Sequence, residues 1–178
     1  MRSIDKNGNN TVSIVWAPAV TRASVTAHEM QVRVVDGALH DAYRNYTVRS
    51  EWIDDTAFPL LYYAPVTTTP STAIGVDVST DTVRRAAIQR ALATRSRSAT
   101  GLATTLLLKR SAVIVYEPAY VNSTAQLLGL VYAVFDVGRF VNATLVGLNV
   151  SSAQLQWLDI DPMTNESSCS TFSIRVRR

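Results

Sequence analysis

Hydrophobic and polar positions change their rhythm several times along the chain, and each rhythm predicts an element. From Val12 to about Val34, Val15, Ala19, Val20 and Ala23, then Ala27, Met30 and Val34, recur at three- and four-residue steps. That period predicts a helix entered near Pro18 and ended or kinked at Asp36-Gly37. A shorter helix is expected within Ala38 to Tyr46, a strand from Tyr46 to Trp52, a turn at Asp54-Asp55-Thr56, and an edge strand at Leu60 to Val66 with Pro65 at its end. A loop follows around Pro70.

The stretch from Ala73 to Leu107 organises the rest. Ile74, Val76 and Val78 alternate with Gly75 and Asp77, which predicts a half-buried strand. Ser79, Thr80 and Asp81 supply N-cap chemistry. The helix they open carries Val83, Ala87, Ile88, Ala91 and Leu92 on one face, with Arg84, Arg85, Gln89 and Arg90 away from it, and stops near Thr94. RSRSATG reads as a polar loop, and Leu102 to Leu108 is a short apolar run.

Ala112 to Tyr120 and Leu127 to Phe135 are apolar enough to be buried strands. Asp136 caps a short helix through Val137, Phe140 and Val141. Leu155 to Ile160 is a last strong strand, and Phe172, Ile174 and Val176 alternate as an edge strand would. A helix followed by mixed strands and short helices is an α+β fold with an antiparallel sheet. Ile74, Val76, Val113, Val115, Leu130, Tyr132 and Val134 are the expected interior positions. The first eleven residues form a polar, flexible end, the body runs over 12–161, and 162–178 is an edge strand or tail.

Composition narrows the function classes mainly by exclusion. A net charge of +3, nearly all from arginine, is too mild to argue for nucleic acid. One cysteine, Cys169, allows no internal disulfide. His28 and His40 fit no metal-ligand spacing, and His28 beside Glu29 reads as the polar face of a helix. No phosphate loop or nucleophile elbow is present, so no cofactor or catalytic chemistry is indicated. Asp159-Ile-Asp161-Pro-Met163 reads as a strand ending in a turn. Arg95 and Arg97 read as a solvated loop pair, with anion binding the sharper alternative. Asp77 stands evenly between bracing the turn into the helix and accepting from a ligand. No apolar run reaches the length of a membrane span, and no targeting core follows Met1-Arg2, so the chain is read as a piece of a larger protein.

One compositional signal is positive. Asn-X-Ser/Thr sequons occur at Asn9, Asn45, Asn122, Asn142, Asn149 and Asn165. Eight asparagines falling at random among 35 serines and threonines in 178 residues give roughly 1.6. The excess points to an extracellular glycoprotein, with Asn45 and Asn122 in turn-like, exposed settings.

The order FPLLYYAPV, AIGVDVSTDTVRRAAIQRA, ATGLATTLL, VIVYEPAY and LLGLVYAVFDVGRFV resembles the CHASE domain, the sensory module of cytokinin-receptor histidine kinases and of receptor nucleotide cyclases. Trp16, Val20, Arg22 and Glu29 match the family's first motif. The resemblance implies a stalk-type N-terminal helix followed by PAS-like antiparallel sheet lobes. It implies a non-catalytic ectodomain between two membrane helices outside this chain, a small-molecule ligand and a homodimer through the N-terminal helix. In cytokinin receptors an Asp before the central helix holds the adenine, with backbone after the helix. Asp77 matches the first, and Ala99, Thr100 and Gly101 match the second. The ligand pocket is then expected between Ile74 to Val78, Ala99 to Leu106 and Leu127 to Phe135. A secreted or cell-surface glycoprotein with a structural or interaction role is the alternative.

Overall fold

A computed structural model describes residues 13–64, 71–104, 111–122, 125–138, 152–160 and 167–175. Among the described residues, ten named strands and two named α-helices give an α+β fold with antiparallel sheets, as the sequence predicts.

The chain opens with a strand. Ser13–Pro18 (β1) lies inside the main sheet, paired antiparallel with Tyr62–Ala64 (β4) on one side and Leu127–Asp136 (β8) on the other. Ser111–Tyr120 (β7) follows β8, and Ser98–Ala99 (β5) and Ala103–Thr104 (β6) both pair with β7. The order is β4-β1-β8-β7-β5. The expected long helix from Val12 is therefore corrected: Val20–Thr21 (β2) pairs with Thr56–Ala57 (β3), and helix α1 covers only Val25–Val35. Ile14 and Trp16 face one side of β1 while Val15 and Ala17 are buried on the other. With apolar residues on both faces, a central strand loses the period-two signature.

Helix α2, Thr82–Thr94, forms as its sequence demands. Asp81 accepts from the Arg84 N–H at 3.0 Å, which satisfies one of the donors left over in a first turn. At the other end Arg95 takes the left-handed conformation usual for glycine, φ 51°, and Ser96 N–H closes on the Ala91 carbonyl. The buried face is Arg84, Ala87, Ile88 and Ala91, so Arg84 replaces the expected Val83, which stays 42% exposed.

This face covers one side of the sheet. The register places Ile114 opposite Val134, Tyr116 opposite Tyr132, and Val15 and Ala17 opposite Tyr132 and Leu130. These residues except Val134, with Phe58, Leu60, Val78, Ala87, Ile88 and Ala91, belong to the main core; Val134, expected inside, is half-buried and packs against it. On β7 the core positions are Ile114 and Tyr116; Val113 is buried as expected, but Val115 is only half-buried. Gly129 lets β8 cross β1 closely, since a Cβ there would strike the Ala17 carbonyl and Pro18 Cα. A smaller cluster joins Val32, Tyr46 and Leu61, with Trp16, Tyr43, Val48 and Ile74 against it.

The segment Ile74 to Val78 is not a regular strand. It makes two isolated bridges, Val76 with Arg49 and Asp77 with Pro59. Gly75 explains the break: its φ is +85°, and a Cβ would collide with the Thr47 carbonyl. Ile74 and Val76 are consequently half-buried. Tyr46 to Trp52, expected as a strand, likewise forms no regular strand and makes the one bridge at Arg49. The expected short helix in Ala38 to Tyr46 is a 3-10 turn at Asp41–Tyr43.

Ser152–Ile160 (β9) and Ser167–Arg175 (β10) pair along their full length, so Phe172 and Ile174 lie on an edge strand as their alternation predicts. Pro65, most of the 102–108 run, Phe140 and Val141 lie outside the described residues, as do Asn9, Asn142, Asn149 and Asn165.

Candidate functional site

Asp77 sits where the chain turns into α2 and is 3% exposed. Its Oδ1 accepts three bonds, from Phe58 N–H (3.0 Å), Ser79 N–H (2.9 Å) and Ser79 Oγ (2.7 Å). Its Oδ2 accepts one, from Ser50 Oγ at 2.6 Å. Backbone bonds add to this: Asp77 N–H donates to the Arg49 carbonyl, and the Asp77 carbonyl accepts from Thr80 Oγ1. The carboxylate thus ties together three segments, at Arg49–Ser50, at Phe58 and at the entry of α2. Two oxygens offer about four lone-pair sites, and Oδ2 uses one of its own.

Thr100 is equally buried, at 2%. It clamps β7: its N–H donates to the Ile114 carbonyl at 2.8 Å, and its Oγ1 accepts from the Ile114 N–H at 3.0 Å. Ala99 pairs with Val115, and its carbonyl accepts from Arg90 Nη2 at 2.9 Å. Gly101 occupies the half-exposed bend that follows. Among the described residues no hydrogen bond links Asp77 to Ala99, Thr100 or Gly101. Both groups border the main core, through Val78 on one side and Ile114 on the other.

Sequence reasoning missed two features here. The first is an arginine inside the core: Arg84 (3% exposed) is buried with Tyr116 (0%) and with Tyr132 (4%), the last an expected interior position. Burial pushes both phenols well above their ordinary pKa, and the Arg84 charge opposes that rise. The signal was the spacing of Arg84 to Ala87, Ile88 and Ala91, which is the i, i+3, i+4, i+7 stripe.

The second is the seat of α1. His28 is half-buried, not on a solvated face, and its Nε2 lies 3.1 Å from the Tyr46 hydroxyl. Glu29 Oε1 accepts from the Val48 N–H at 2.8 Å, and Glu29 Oε2 pairs with Arg33 at 2.9 Å. Arg33 Nε donates to the Tyr46 carbonyl at 2.7 Å. Beside this contact a cleft of about 430 Å³ opens, lined by Asp41, Asn45, Thr47, Arg49, Thr72 and Ile74. The Arg49 guanidinium spans it to the carbonyls of Thr72 and Ile74.

The remaining sequence candidates are surface features. Arg97 lies 3.3 Å from Glu117 with both side chains largely exposed, and Arg95 stacks over Tyr120. His40 Nδ1 accepts from the Ala42 N–H. Asp159 belongs to β9, and Asp161 lies outside the described residues. Among the described residues no three His, Cys, Asp or Glu side chains converge as a metal site would require. Nor is any of their helices long and apolar enough to cross a membrane.

The family model of the CHASE domain matches residues 1–169. The chain belongs to the CHASE-domain family. CHASE domains are sensory, non-catalytic domains of receptors. No curated protein sequence matches the chain. In this CHASE domain the first-motif residues hold one stretch of chain at both ends. Glu29 binds Val48, while Arg22 Nη2 donates to the Trp52 carbonyl at 2.9 Å and stacks on the Trp52 ring.

Proposed function

We propose that this CHASE domain is the extracellular ligand-binding part of a membrane-spanning signalling receptor of the histidine-kinase or nucleotide-cyclase type. Its ligand is a small molecule with N–H donors, of which an adenine-type base is the leading case. The observation that carries the ligand class is the Asp77 carboxylate, removed from water and left with acceptor capacity at Oδ2. A ligand N–H reaching that oxygen makes a charge-assisted bond where water does not compete. Ala99, Thr100 and Gly101 lie across the core and are proposed to shape the far wall. Six sequons support the extracellular placement. The sensory unit spans 12–161, between membrane helices outside it.

The receptor is proposed to act as a homodimer through the N-terminal helix. Met30, Val34 and Val35 of α1 are 62%, 67% and 54% exposed, an apolar stripe at helical spacing. Ligand binding then shifts a balance between two dimer arrangements, by no more than its differential affinity for them.

Calorimetric titration of the purified chain with adenine and N6-substituted adenines tests the ligand class. Binding to the wild type, lost in Asp77→Asn, is the expected result. Wild-type protein that takes up none of these purines overturns the adenine reading. Asp77→Asn also replaces one acceptor oxygen with a donor amide, at a stability cost of about 1–3 kcal/mol, so folding of the variant is checked before titration.

A further inference from the structure

We infer that the stretch Tyr46–Ser50 couples the Asp77 site to helix α1. The inference rests on the ligand site proposed above and concerns how its occupancy is passed on.

One end of the stretch is fastened to Asp77. Ser50 Oγ donates to Oδ2, and the Arg49 backbone bonds both ways, to Gly75 and to Asp77. The other end is fastened to α1, by Glu29 on Val48 N–H, Arg33 on the Tyr46 carbonyl and His28 on the Tyr46 hydroxyl. Five consecutive residues therefore carry the bonds of both sites.

Helix α1 depends on this seat. Of its eleven residues only Val32 is buried. It has no broad apolar face in the core to hold it when the seat moves. Its C-terminal cap Asp36 accepts from Tyr62 of β4 at 2.7 Å, which leaves a pivot at that end. A ligand donor that takes the remaining acceptor site of Oδ2 shares that oxygen with the Ser50 hydroxyl, and so weakens and re-aims the Ser50 bond. The same hydroxyl accepts from the Trp52 N–H, and Trp52 holds a left-handed φ of 49°. Releasing Ser50 thus frees a strained turn as well as a bond. The freed stretch carries Val48 and Tyr46 with it, and α1 swings about Asp36.

A double-mutant cycle on the whole chain tests the coupling without any ligand. Ser50→Ala removes the bond to Asp77, and Glu29→Gln weakens the bond to Val48. Residues 29 and 50 share no partner, so independent sites would multiply their effects on the unfolding equilibrium to within about twofold. Coupling through the stretch gives a departure larger than that, of about fivefold or more where the stretch acts as one rigid unit. A product within twofold overturns the inference. Should either variant not fold, native-state hydrogen exchange of the unmodified chain decides. Amides of Val48, Arg49, Asp77 and α1 open with one common free energy if they form one unit, and with separate ones if they do not. Neither readout depends on a ligand. A negative result leaves the purine titration standing, and a failed titration leaves the coupling intact.

Discussion

Tyr116 and Tyr132 face each other across the β7–β8 register, ring centroids 5.1 Å apart and inclined by 46°, in the field of the Arg84 guanidinium. Among the described residues the Tyr116 hydroxyl has no hydrogen-bond partner, although the residue is fully buried. Such a group costs about 1–3 kcal/mol relative to its absence. Tyr116→Phe is therefore expected to raise the melting temperature, by about 2–12 °C for a chain of this size. A fall on thermal denaturation shows instead that the hydroxyl holds a partner in solution.

His28 sets a pH dependence. Burial lowers its pKa below the ordinary value, against the opposing pull of the Glu29 and Asp36 charges, and Tyr46 faces its ring nitrogen. Because the folded pKa lies below the unfolded one, the unfolded chain takes up the proton first. Stability is full above about pH 6.5, the unfolded value, and falls as the pH drops from there through the folded pKa. Denaturant titrations at pH 7.5 and 5.5 are expected to show this loss. His28→Gln is expected to shrink it, and an unchanged pH slope in that variant removes His28 as its source.

Asn45 and Asn122 are both exposed in turns. Expression in a eukaryotic secretory host is expected to load both, read as peptides that lose mass on enzymatic deglycosylation. Unmodified Asn45 and Asn122 in secreted protein count against the extracellular placement. A glycan on Asn45 also stands at the edge of the cleft lined by Arg49 and Thr72.

Legibility from sequence followed how local each determinant is. Helix α2 was readable because its cap, Asp81, and its stripe, Ala87, Ile88 and Ala91, lie within one short window. Arg84 was assigned outward on its charge, but its position in the stripe fixes it inward, where the long stem packs among apolar groups. Strands β7 and β8 were readable as long apolar runs. Strand β1 was not, because what makes it a strand is β4 and β8, far along the chain. Ile74 to Val78 alternates as a strand does, yet Gly75 adopts a conformation that breaks the ladder. For Asp77 the residue type left bracing and ligand binding equal. Its donors come from Ser50, Phe58 and Ser79, and only the folded chain shows how many bonds each oxygen already holds.

The pairing of Ser13 with Val134 has a consequence for biosynthesis. The first strand of the sheet cannot find its central neighbour until β8 has left the ribosome. At about 5–20 residues per second that wait is on the order of ten seconds. Throughout it, Ile14, Val15 and Trp16 have β4 within reach but lack their neighbour on the other side, and remain a sticky, half-paired segment. The closing contact is also among the longest-range in the molecule, which places this protein with slow folders. Its yield in a cell will be set by what shields β1 during that interval as much as by the stability of the finished sheet.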